Sequence, residues 1–419
     1  MFFRCAHRVR DFFLTIYYKT RFEGVVNETE LNFEQADNLR EKCGKDFREV
    51  PLFELVGSGY TQAQQGLRMD QRENILRAVR FEQPESIPMI FHINPACWYH
   101  YPQGALQDFM EAHPRLFPDF RRCQEPVEPE LLPYACAGVG FTDPWGCVWQ
   151  TAQDGIVGTV TKHPLESWKD FDTFTPPDPD RYDHWGPIDW LKKSREASQL
   201  GFKRQIAAGE IGHGHTFLKL TDLRGYQNLL YDMTDEEPRL ERLIAMLEEF
   251  NLRLVQNYIR VARVEWMGYA EDLGMQIGPM LSPVHFKKYI KPSYRRIVAP
   301  AREAGCIVHM HSDGDIRALV DDLVDVGFDV LNLQDLVNGI DWIKENLSGR
   351  VCVDLDIDRQ KITYGGTPEQ IDALIRQEVE TLGSKQGGLM MIYGLYPGVP
   401  LENAAALMDA MERYMGYYA

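Results

Sequence analysis

From residue 69 onward, short apolar runs alternate with stretches of helical period. Residues 69–79 (Met-Asp-Gln-Arg-Glu-Asn-Ile-Leu-Arg-Ala-Val) place Ile75, Leu76 and Val79 on one face, the spacing of an amphipathic first helix. Strand-like runs lie at 87–93, 205–209, 266–270, 307–311, 330–333, 351–355 and 389–393. Between them the period changes to that of helices at 237–263, 283–303, 315–326, 340–346, 368–382 and 401–415. The longest of these carries Leu240, Leu243, Ile244, Leu247 and Phe250 in register. Strands that alternate with helices in this way pair in parallel. Seven strands are read, and an eighth would close a (βα)₈ TIM barrel, the expected α/β fold. An irregular insertion rich in Pro, Gly and Trp follows the first strand and runs through Pro179. Within it, Cys147-Val148-Trp149 and residues 155–161 predict a hairpin.

Residues 1–68 have a different character, with a basic-aromatic start (Phe2, Phe3, Arg4, Arg8, Arg10, Phe12, Phe13) and then a polar stretch. They read as an N-terminal extension, either absent from the native chain, with Met69 as its start, or an accessory segment. Asp11 and Glu23 count against a transit peptide. Residues 69–419 form the barrel domain.

Charge narrows the partners. With 45 Lys+Arg against 62 Asp+Glu, the formal charge is −17, which repels nucleic acid and anionic membrane. No apolar run approaches the ~20 residues of a membrane helix. The eight cysteines are scattered without a Cys-x-x-Cys pair, which suits reduced thiols and a cytoplasmic location.

The chemistry gathers where the apolar runs end. His92, Glu210, Asp272, His311, Gln334, Asp356 and Tyr393 all lie at or just past such ends. In a barrel those ends meet at one rim, where active sites sit. The segment His309-Met310-His311-Ser312-Asp313 stands out, because alternation puts His309, His311 and Asp313 on one side. Imidazole and carboxylate so placed suit zinc or another divalent metal on His311 and Asp313. They equally suit an acid/base pair in which Asp313 sets the tautomer of His311. Asp313 or Asp315 is also a candidate cap for a helix starting at Ile316. Of the adjacent Glu271 and Asp272 only one can point inward, and Asp272 is the candidate for substrate binding or proton transfer. The loop Gly209-Glu210-Ile211-Gly212-His213-Gly214-His215 lacks a phosphate-binding spacing and offers His213 and His215 as pocket-lining groups.

Several blocks, in order, resemble the uroporphyrinogen decarboxylase superfamily, which includes corrinoid-dependent methyltransferases. They are Arg72 to Ala78 with Ile87-Pro88-Met89; Asp143-Pro144-Trp145-Gly146-Cys147-Val148-Trp149 with His163-Pro164-Leu165; and Asp272-Leu273-Gly274 with Ser282-Pro283. His311-Ser312-Asp313-Gly314-Asp315, Gly387-Gly388 and Pro400-Leu401-Glu402-Asn403 complete the set. The resemblance implies a barrel with its cleft at the C-terminal rim and a homodimer. It is nearer the methyltransferase branch. The segment after the first strand, His92 to His100, has no arginine to grip substrate carboxylates. In that branch zinc is held by one His and two Cys; here His311 matches the His, Asp313 stands in the first Cys position, and no cysteine lies near Tyr393 to Pro397. The expected activity is methyl transfer from a small methylated substrate to a corrinoid protein or a thiol. Catalysis would fall to Asp272, His311 and Asp313, and substrate binding to His92, Glu210, His213, Gln334, Asp356 and Tyr393. Alternatives are decarboxylation of a tetrapyrrole or other carboxylate, and a barrel that binds a ligand or corrinoid protein without chemistry.

Overall fold

A computed structural model describes residues 69–419. The stretch read as an N-terminal extension lies outside the described residues. Seven strands form one parallel sheet: β1 (Met89–Ile93), β2 (Ala208–Glu210), β3 (Trp266–Ala270), β4 (Ile307–Ser312), β5 (Val330–Gln334), β6 (Cys352–Asp356) and β7 (Leu389–Leu395). Their order is β1-β7-β6-β5-β4-β3-β2. The sheet is curled. His309 of β4 reaches Asp354 of β6 at 3.1 Å across the intervening strand, although strands two apart on a flat sheet lie about 9.5 Å from each other.

The expected eighth strand is absent among the described residues. β1 and β2 are the two ends of the sheet, and no strand joins them. After Ile93 the chain turns at once into the helix Cys97–His100 instead of extending. The Asn94 side chain accepts from the Ala96 amide at 2.8 Å and donates to the Gly155 carbonyl at 3.1 Å, tying this turn to the insertion. The insertion holds a small antiparallel sheet. The expected hairpin forms from Val148–Gln150 and Thr159–Lys162, and Phe141–Thr142 adds a third strand.

One helix closes the N-terminal end. α1 (Gln71–Arg80) is capped by Asp70, whose carboxylate accepts from the Glu73 amide, and it presents Ile75, Leu76, Ala78 and Val79. These side chains cover Trp266, Ile307, Val330, Cys352 and Met390, at the starts of β3 to β7. Burial of such side chains contributes about 1.5–3 kcal/mol each, so the end opposite the rim is sealed by apolar contact. Gly388 is required there: its φ is +85°, and a Cβ would lie 2.2 Å from the Phe81 ring. Along the outside, Pro238–Asn257 buries Leu240, Leu243, Leu247, Phe250 and Leu254. Helix length is where pattern and structure diverge. The expected helix at 315–326 begins only at Val320, because Asp315 is engaged by Arg317, whose guanidinium donates at 2.7 and 2.9 Å. Neither Asp313 nor Asp315 caps it.

Candidate active site at the C-terminal rim

Two glycine turns build the rim. Beyond β2, Gly212 and Gly214 take φ of +97° and +77°, backbone that costs glycine little. The Gly214 amide donates to the Ala270 carbonyl at 2.8 Å, which lays this loop along the end of β3 and sets His213 beside Asp272. Beyond β3 and β4, Gly274 and Gly314 touch. A Cβ on Gly314, at φ +82°, would lie 2.2 Å from the Gly274 carbonyl carbon. The Gly274 amide donates to the Asp313 carbonyl at 3.2 Å. The two Asp-x-Gly and Asp-Gly signatures are therefore one structural unit, which locks Asp272 and Asp313 side by side.

Alternation then sorts the adjacent acids. Asp272 turns inward. Glu271 turns outward, fully buried, and its carboxylate accepts from the amides of Thr216, Phe217 and Leu218, the first turn of the helix Phe217–Arg224. Burial pushes the Glu271 carboxyl up to about 7, against the pull of those amides. His215 follows it outward. Its ring is completely buried, with Nδ1 2.7 Å from the Thr216 hydroxyl, so it does not line the rim.

The inward cluster is compact. His213 Nε2 lies 3.2 Å from Asp272 Oδ1, and His311 Nε2 lies 3.7 Å from the same oxygen. The Asp313 amide donates to that oxygen at 3.2 Å. Burial disfavours charge on His213, yet the Asp272 carboxylate outweighs it and holds the imidazole up at about 9. In return, and against its own burial, Asp272 is held below the usual carboxylate range by His213 and His311. Burial lowers His311, the nearby Asp313 and Asp272 notwithstanding. The metal-free site therefore holds one imidazolium, one carboxylate and one neutral imidazole at neutral pH.

The tautomer of His311 is fixed from below. Its Nδ1 meets the Asn332 side-chain oxygen, and the Asn332 amide donates to the Asp354 carbonyl at 2.6 Å, which sets the orientation of that side chain. His311 Nδ1 thus carries the hydrogen, and Nε2 presents a lone pair to the cluster. One layer deeper, His309 Nε2 meets Asp354 at 3.1 Å.

The other candidates divide. Asp356 is buried and receives Arg359 Nη2 at 2.6 Å; the same nitrogen reaches Asp313 at 3.3 Å. Burial, with Asp313 and Asp335 near, pushes the Asp356 carboxyl up against the pull of Arg359. Gln334 serves the turn, its Oε1 accepting from the Gly314 amide at 3.0 Å. Glu210 lies over Gly268, where a Cβ would come within 3.2 Å of its Cγ, and its charge helps to raise His213. His92, on the β1 side of the same lumen, has a buried Nε2 with no hydrogen-bond partner among the described residues, and burial lowers its pKa to about 4. A neutral, unpartnered ring nitrogen there suits a ligand donor. Tyr393 is a correction. Alternation turns it to the outer side of β7, fully buried, where its hydroxyl donates to Thr363 at 3.1 Å and its ring lies 5.3 Å from Phe91. It does not reach the site.

Asp313 is also placed otherwise than expected. It stands 3.9 Å from His311 Nε2, and Arg359 shares its charge, so His213 and Asp272, not Asp313, close the tight group around His311. The sequence pattern did not single out Arg359 or Asn332. Asn332 could have been found, since it precedes Gln334 by two positions on one face of β5. Arg359 follows the end of β6 in an irregular segment and has no such signal.

Among the described residues no cysteine approaches this group. Cys97 Sγ donates to the Leu395 carbonyl at 3.3 Å, and Cys352 is buried at the α1 end. All six cysteines among the described residues are free. The two-thiolate zinc set implied by the resemblance does not fit these residues.

Among the described residues no helix is long and apolar enough to cross a membrane. A solved methyltransferase from Methanosarcina mazei shares the fold, with a TM-score of 0.57 and 17% identity over 83% of this chain and 99% of that one. Uroporphyrinogen decarboxylase from Danio rerio is 27% identical over 146 residues, and that from Homo sapiens 24% over 162. These matches span 37% and 42% of the two relatives, less than half of either. The uroporphyrinogen decarboxylase (URO-D) family profile matches residues 151–414, well over half of the sequence, and the chain belongs to that family.

Proposed function

We propose that this chain is a methyltransferase, taking a methyl group from a small methylated compound and passing it to a corrinoid carried by a partner protein or to a thiol. The supporting observation is the cluster His213–Asp272–His311 set in an acidic rim where, among the described residues, the neighbouring guanidinium of Arg359 already faces Asp356 at 2.6 Å and Asp313 at 3.3 Å. A rim so charged disfavours a polycarboxylate, which needs free cations around it. It favours a neutral or cationic methyl donor. His213, held protonated by Asp272, hands its proton to the heteroatom that leaves. The carbon–heteroatom bond breaks with its pair going to that heteroatom, and the methyl carbon bonds to the electron pair of the acceptor. His92, Glu210 and Gln334 bound the space in which the donor lies.

The test offers the purified full chain a panel of methylated alcohols, amines and thiols with reduced cobalamin or a thiol as acceptor. The expected result is methylation of the acceptor, lost in His213→Gln. Release of carbon dioxide from a porphyrinogen, with no methyl transfer from any donor, would overturn the proposal in favour of decarboxylation.

A further inference from the structure

We infer that His213, Asp272 and His311 form a divalent-cation site built from nitrogen and oxygen ligands, in place of a thiolate site. The inference concerns the same rim as the proposed activity and deepens that reading. The first argument is spacing. Zinc–nitrogen and zinc–oxygen bonds of about 2.0–2.2 Å put the ligand atoms of a tetrahedral site about 3.3–3.6 Å apart. The Asp272 oxygen lies 3.2 Å from His213 Nε2 and 3.7 Å from His311 Nε2, and all three ligand atoms fall within 4.8 Å of one another. Only a small adjustment separates this arrangement from a coordination shell.

The second argument is the support behind it. A ligating histidine characteristically gives its other ring N–H to an oxygen acceptor, which fixes the tautomer and the ring plane. Asn332 does this for His311 and is itself oriented by the Asp354 carbonyl. Behind Asp272, the Gly274–Gly314 contact and the Asp313 amide hold the carboxylate. The ligands thus sit on strand ends with little freedom to move apart.

Three protein ligands leave a fourth position open to the substrate's heteroatom. Two imidazoles and a carboxylate suit zinc, cobalt or manganese over a soft monovalent ion. The cation would occupy the place that the proton between His213 and Asp272 holds in the metal-free chain. With the cation bound, His213 Nε2 would carry no proton, and Lewis-acid polarisation of the atom that gives up the methyl group would replace the proton transfer assigned above to His213. Asp313, 3.3 Å from Arg359 Nη2, stays outside the ligand set.

The experiment uses the full chain stripped with a chelator. Zn²⁺ is titrated calorimetrically and Co²⁺ is followed by its visible spectrum, with circular dichroism to verify that each variant is folded. One ion per chain is expected, and Co²⁺ should show no thiolate charge-transfer band. His213→Gln and Asp272→Asn should each weaken Zn²⁺ binding at least ~10-fold. Cys352→Ser and Asp313→Asn should stay within about threefold of the parent, well short of the loss expected on removing a ligand. Failure of the parent chain to take up Zn²⁺, or parent-like binding by folded His213→Gln and Asp272→Asn, would overturn the inference, as would a thiolate band. Zn²⁺ binding without methyl transfer to any acceptor would sink the proposed activity and leave this site standing. Methyl transfer by a chain that binds no metal would do the reverse.

Discussion

Replacing Asp272 with Asn isolates the ion pair that Asp272 makes with His213. Asp272 raises His213 from the ordinary value of ~6.5 to about 9. A folded-state pKa above the unfolded one adds stability that is complete below the unfolded pKa and lost as pH rises through the folded one. The contribution is therefore full below about pH 6.5 and fades by pH 9. A rise of that size in a fully buried pair corresponds to a few kcal/mol. The His213 side chain is 38% exposed, however, so water screens the pair and about 1 kcal/mol is the expected net effect. Urea unfolding of metal-stripped parent and Asp272→Asn at pH 6, 7.5 and 9 measures it. Groups common to both chains cancel in the difference. The stability gap should shrink by about 1 kcal/mol between pH 6 and pH 9. A gap that is constant over this range, or that widens with pH, would refute the assignment of His213 as the imidazolium of the pair.

Three further outcomes are expected. Gly314→Ala forces a Cβ against the Gly274 backbone at positive φ, and should destabilise the chain by at least about 2 kcal/mol in urea unfolding, with Zn²⁺ affinity falling as Asp272 shifts. Asn332→Leu removes the acceptor for His311 Nδ1 and should weaken Zn²⁺ binding by about 10–100-fold in calorimetric titration, while a Co²⁺ spectrum identical to the parent's would deny Asn332 its positioning role. Tyr393→Phe deletes a buried hydrogen bond to Thr363 on the far side of β7. It should lower stability by about 1 kcal/mol and leave methyl transfer at the parent rate; a selective loss of turnover would contradict the outward placement.

The acid pair Glu271–Asp272 shows how a one-residue difference separates two roles. Glu271 accepts from the first amides of Phe217–Arg224, so it anchors the loop that carries His213. Asp272, its neighbour, faces that same histidine from the concave side of the sheet. Support and function thus come from adjacent positions because strand geometry sends them to opposite faces.

Periodicity and alternation are local properties, and what they govern was legible in the sequence. The seven parallel strands, the amphipathic first helix, the hairpin of the insertion and the inward turn of Asp272 and His311 all follow from spacing along the chain. Tyr393 shows the limit of that reading. A residue at a strand end can face either way, and only the pairing of β7 with β1, which sets Tyr393 opposite Phe91, decides that it faces out. That no eighth strand forms among the described residues is likewise a matter of neighbours, since no local signal states whether an edge will find a partner. Sequence named His213 and Asp272 for the same rim, but that they, of all its residues, touch His311 was beyond its reach for the same reason. His213, Asp272 and His311 stand dozens of residues apart, and their nitrogen and oxygen atoms meet only because the sheet curls and two glycine contacts fix the rim. The sequence by itself determined which side chains stand at the ends of the strands. Tertiary structure alone decided which of them touch, because distance across a curled sheet is set by its curvature and not by position in the chain.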